Sequence, residues 1–132
     1  MKRFKNINEL MVGVDGKNVI ITSNITTETN YDNLMIADFS SYLNEDDAIS
    51  DNAGIMCINF LKKCGMDNLF LAGFDGFSPD WRENYYENSM AFDMESNRIF
   101  ELNKAVSQKF SQLKKQIQIG FLQDSIYQQE IN

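Results

Sequence analysis

The chain has 132 residues, a formal charge of −7, no His, two Cys and a single Pro among 43% hydrophobic residues. That length holds one domain with one core, since domains cluster near about 100–150 residues. The negative charge argues against nucleic acid and anionic membranes, which need clustered Lys and Arg. Without His there is no common neutral-pH base, no Ser-His-Asp or Cys-His system, and no commonest transition-metal ligand.

The charge is uneven. Between Glu28 and Asp51 the acids Glu28, Asp32, Asp38, Glu45, Asp46, Asp47 and Asp51 meet no Lys or Arg, which reads as a solvated acidic surface. In chain order, the turn residues Asp15-Gly16-Lys17-Asn18 open a β-branched run over Val19 to Asn24, expected to be a strand buried on both faces. Asn33 to Phe39 reads as a second short strand, and Ser40 to Ser50 as a polar loop. The segment from Asp51 to Gly65 predicts a helix, with Asx residues to cap its start, Lys62 and Lys63 in the last turn and Gly65 just past the end. Its apolar residues wrap most of the circumference, so the helix is expected to be largely buried. Cys57 and Cys64 would then lie about 10 Å apart along it, too far for a disulfide, as core thiols. No disulfide framework, signal peptide or long apolar run appears, which points to a cytoplasmic protein.

Asn68 to Gly73 reads as a third strand leading into Phe74-Asp75-Gly76-Phe77-Ser78-Pro79-Asp80. From Glu95 to Gln116, Ile99, Leu102, Val106, Phe110, Leu113 and then Ile117 recur at three- and four-residue spacing, which specifies a long amphipathic helix. Ile117 to Leu122 is the last strand, followed by a turn at Asp124 to Tyr127. This order predicts an α/β, Rossmann-like domain over 1–132: a mostly parallel sheet of about four strands flanked by helices. The helix at 52–64 is read as the crossover joining parallel strands 19–23 and 68–73. Two helices leave such a sheet under-covered, which implies either a helical Lys2–Val14 segment or an incomplete domain cut from a longer protein.

Open α/β sheets bind ligands at the carboxyl ends of their strands. There the sequence places Ser23 and Asn24, then Asp51, Asn52 and Gly54 at a helix start, then Gly73, Asp75 and Ser78. Trp81, Tyr85 and Tyr86, with Arg82 and Asn84 between them, follow and offer aromatic walls; Asn84 and Tyr85 join the candidate ligand-binding set. Each has a structural alternative: Asp51 or Asn52 as a helix cap, Gly73 and Gly76 as turn formers, Asp75 as an acceptor bracing its loop. A helix start that offers unpaired N–H groups favours an anionic or polyhydroxylated ligand. No catalytic and no metal-ligating residue is assigned. Phosphate-loop, dinucleotide and zinc spacings are missing too.

Four motifs carry a family resemblance: Ile21 to Ile25 (Ile-Thr-Ser-Asn-Ile), Asp51 to Gly54 (Asp-Asn-Ala-Gly), Leu71 to Gly76 (Leu-Ala-Gly-Phe-Asp-Gly) and Asn84 to Tyr86 (Asn-Tyr-Tyr). Together they resemble the C-terminal domain of bacterial aldolases of the 4-hydroxy-2-oxovalerate aldolase and HMG-CoA lyase type. The helix, strand and Gly-x-Asp run also resembles sialyltransferase-like and motility-accessory-factor proteins. The first resemblance implies a TIM-barrel aldolase domain in cis, with a divalent metal held in that barrel and no cofactor in this chain. The implied role here is non-catalytic: assembly, or recognition of a sugar-like or acyl ligand, with homo-oligomer formation expected. A nucleotide-sugar-binding glycosyltransferase fragment and a purely structural dimerisation module are the alternatives.

Overall fold

The computed structural model describes residues 19–25, 33–84 and 94–129. The Lys2–Val14 segment, Glu28, Asp32, Tyr85 and Tyr86 lie outside the described residues. The chain divides into two compact units, Met1–Tyr42 and Leu43–Asn132.

In the first unit, β1 (Val19–Thr22) and β2 (Leu34–Ala37) pair in parallel, from Val19 opposite Leu34 to Thr22 opposite Ala37. The Ser23 amide extends the ladder to the Ala37 carbonyl at 2.8 Å. Beyond the strands, Asp38 accepts from the hydroxyls of Ser40 (2.8 Å) and Ser41 (2.6 Å), which starts the 3-10 turn Phe39–Tyr42. Hydrogen bonds from Ser41 and then Ser40 hold the Asp38 carboxyl below its ordinary range. The expectation that β1 is buried on both faces is not met: Ile20 is 49% exposed, and Met35 and Ile36 of β2 are exposed as well.

The second unit holds the core. The stretch expected to be a polar loop contributes to it, because a 3-10 turn at Asp47–Ile49, capped by Asp46, turns Ile49 inward. Buried Asn44 ties that turn down by donating to the Ile49 carbonyl at 2.8 Å. Helix α1 (Ala53–Lys63) starts where Asn52 Oδ1 accepts the Ile55 amide, 3.1 Å. It ends in a Schellman pattern: Gly65 at φ 88° lets the Met66 amide reach the Leu61 carbonyl and its own amide reach Lys62. Ile55, Met56 and Ile58 are buried. The two cysteines are not core thiols, for both are exposed. At 100° per residue Cys57 and Cys64 fall on the helix side opposite Ile55 and Ile58.

Strands β3 (Asn68–Leu71) and β4 (Gln118–Phe121) pair in parallel, joined by a connection that contains α2 (Ser96–Leu113). Ile99, Val106, Phe110 and Leu113 of α2 are buried, as their spacing predicts, and the last three pack with Ile49, Ile55, Ile58, Leu69, Ile117 and Tyr127. Phe110 is the hub, meeting Phe74 and Phe121 edge-on and stacking on Tyr127.

The fold is thus mixed α/β with parallel pairing. Among the described residues the strands form two two-stranded sheets and no four-stranded sheet. β1 pairs with β2, not with β3, so α1 is not a crossover within one sheet; α2 fills that role between β3 and β4. Four short apolar runs of similar composition carry no register information, which is why pairing could not be read from them.

Candidate functional site

β3 ends at Leu71, and its continuation turns sharply at Gly73 (φ 74°) and Gly76 (φ 105°), conformations that L side chains rarely adopt. Both glycines therefore serve the turn. The turn carries residues 74–78 across the carboxyl edge of the β3–β4 pair, where they border a cleft of about 540 Å³. Asn52 and Gly54 at the start of α1 line it, as do Gly73, Asp75, Ser78 and Asn84. Six residues proposed from sequence thus meet in one cleft, of a size usual for small-molecule sites.

Several of them are engaged structurally as well. Asn52 spends its carbonyl oxygen on the α1 cap, while its amide nitrogen has no partner among the described residues. Gly54 admits the Phe74 ring: a Cβ there would stand 2.9 Å from Phe74 Cε1. Asp75 accepts from Gln123 Nε2 through Oδ1, and its carbonyl accepts the Ile126 amide, so its loop is braced against the segment after β4. Oδ2 of Asp75 takes no hydrogen bond among the described residues. Ser78 Oγ donates to Glu83 Oε2 (2.8 Å) and accepts from the Asp80 amide (3.2 Å).

Two asparagines fix the rim. Asn84 receives the Ser78 amide at 2.6 Å and returns a bond to the Ser78 carbonyl at 3.0 Å. Asn103, buried on α2, does the same one residue earlier, taking the Phe77 amide at 3.0 Å and donating to its carbonyl at 2.7 Å. The Tyr127 hydroxyl donates to the same Asn103 oxygen, 2.8 Å. Burial pushes the Tyr127 phenol well above its ordinary value, so it remains a neutral donor.

The other candidates fall elsewhere. Asp51 is exposed and does not line the cleft, because Asn52 and not Asp51 occupies the cap. Ser23 and Asn24 belong to the first unit, where Ser23 Oγ accepts the Phe39 amide and faces Asp38. Tyr85 is outside the described residues. Glu83, Phe77 and Tyr127 line the cleft without having been singled out, and Asn103 and Gln123 support it. Of these only Asn103 left a trace in the sequence, as a polar residue on the apolar stripe of α2.

No family model, curated protein or solved structure matches this chain. Its chemistry therefore rests on the cleft. Asp75 and Glu83 are the carboxylates that line it, and no Lys or Arg lines it among the described residues. Arg82 is close in sequence but forks onto Asp80 at 2.8 and 2.6 Å and is absent from the lining. Among the described residues no three His, Cys, Asp or Glu side chains gather as a metal site. No helix among them is long and apolar enough to cross a membrane.

Proposed function

We propose that the second unit is a non-catalytic recognition module that holds a small polyhydroxylated, sugar-like ligand in the cleft at the carboxyl edge of β3 and β4. The observation that carries this reading is the convergence there of Asn52, Gly73, Asp75, Ser78 and Asn84 around about 540 Å³, with Phe74 and Phe77 beside them. Carboxylate oxygens and an amide offer acceptors and donors to hydroxyls, and aromatic faces suit the C–H side of a sugar ring. Among the described residues no Lys or Arg lines the cleft to receive a diphosphate, which weighs against the nucleotide-sugar alternative. Attachment to an aldolase barrel, as an accessory domain in the cytoplasm, extends the proposal on the strength of the four motifs. An incomplete Rossmann-like sheet is the corresponding reading of the two parallel pairs.

The test is an NMR titration of the isotopically labelled chain with neutral monosaccharides. Amide shifts are expected at Gly54, Gly73, Asp75 and Ser78, with saturation in the millimolar range typical of a ligand this small and exposed. Shifts absent from these amides, or spread evenly over the chain, overturn the reading.

A further inference from the structure

We infer that the ligand is a hydroxylated amine, protonated at neutral pH, and that Asp75 and Glu83 select it. This deepens the preceding reading and rests on it. Each carboxylate already takes one internal hydrogen bond, Asp75 from Gln123 and Glu83 from Ser78, which fixes its plane. Each also keeps a second oxygen that is unpartnered among the described residues. Both residues line the same cleft, and no basic side chain among the described residues lines it with them. Arg82 forks onto Asp80 and its charge also reaches Glu83, but it does not line the cleft, and Lys114 donates to the carbonyls of Tyr127 and Gln128. A phosphate or carboxylate entering the cleft would meet two like charges, with no basic side chain of the described residues lining it in compensation. A neutral polyol would be accepted without using that field. An ammonium group uses it, with charge-assisted hydrogen bonds to the free oxygens. The overall charge of −7 acts in the same direction.

The experiment compares glucosamine, glucose and glucose 6-phosphate as probes of the whole chain by NMR titration. It is run near pH 6.5, below the range of about 7.7–8.0 of an α-amino group, an amine that, like that of an amino sugar, sits beside electron-withdrawing substituents. Glucosamine is expected to bind about three- to fivefold more tightly than glucose, the upper part of the range of a solvent-accessible charge pair. Glucose 6-phosphate should bind more weakly than either. In Asp75→Asn/Glu83→Gln the preference for glucosamine should fall to about twofold or less. Equal binding of glucosamine and glucose to the wild-type chain overturns the inference and leaves the polyol reading standing. If none of the three shifts the cleft amides, the polyol reading fails and the inference fails with it. The wild-type comparison decides the matter even if the double variant folds poorly.

Discussion

Replacing Asn103 by Ala should destabilise the second unit more than any other single polar truncation around the cleft. Three groups lose their partner at once: the Phe77 amide, the Phe77 carbonyl and the Tyr127 hydroxyl. The hydroxyl belongs to a buried tyrosine, so orphaning it costs about 1–2 kcal/mol. The two Phe77 groups are part-buried and can recover some hydration, which lowers their cost to about 0.5–1 kcal/mol each. The total is about 2–4 kcal/mol, or a Tm lower by roughly 10 °C for a domain of this size. Tyr127→Phe removes only one bond and should cost about 1 kcal/mol, with coupling of about 0.5–1.5 kcal/mol in the double-mutant cycle. Urea and thermal unfolding of the four proteins supply the numbers. A loss below about 1 kcal/mol for Asn103→Ala, or a cycle with no coupling, refutes the claim that this amide anchors the cleft rim.

Gly54→Ala should lower Tm, although an Ala normally gains about 1 kcal/mol over Gly inside a helix. The new methyl would press on Phe74, itself packed edge-on against Phe110, and a net loss of about 1–2 kcal/mol is expected; an increase in Tm would show that Phe74 moves aside freely. For Tyr127 the folded pKa lies above the unfolded value of about 10, because burial penalises the phenolate. Its contribution is therefore complete below about pH 10 and is lost as pH rises further. Unfolding free energy should fall more steeply above that point in the wild type than in Tyr127→Phe, and parallel slopes would contradict this assignment.

What the sequence disclosed was local. Asn52 and Gly65 punctuate α1, and the stripe from Ile99 to Leu113 specifies α2, since capping and periodicity act within a few residues. The cleft was legible to the same extent, because strand ends and a helix start supply it. Cys57 and Cys64 were misplaced because apolar content was weighed over angular position. Strand partnership and the long-range braces were beyond reach: Gln123 meets Asp75 across 48 positions and Asn103 meets Phe77 across 26, spacings that no local pattern encodes. The acidity of the cleft depended on Glu83 turning toward Ser78, again a matter of tertiary placement.

The pairing of Asn68 with Gln118 joins strands fifty positions apart in the chain. During synthesis β3 therefore emerges long before the strand that completes its ladder, and Leu69 waits for Ile117 and Tyr127 to close the core around it. Loop closure over that distance must precede the reward of pairing, which slows the final step relative to formation of α1 or α2. In that interval β3 offers an unpaired edge and the exposed ring of Phe70 to other nascent chains. The yield of folded protein is then governed by how quickly the last strand arrives, more than by the intrinsic strength of either helix.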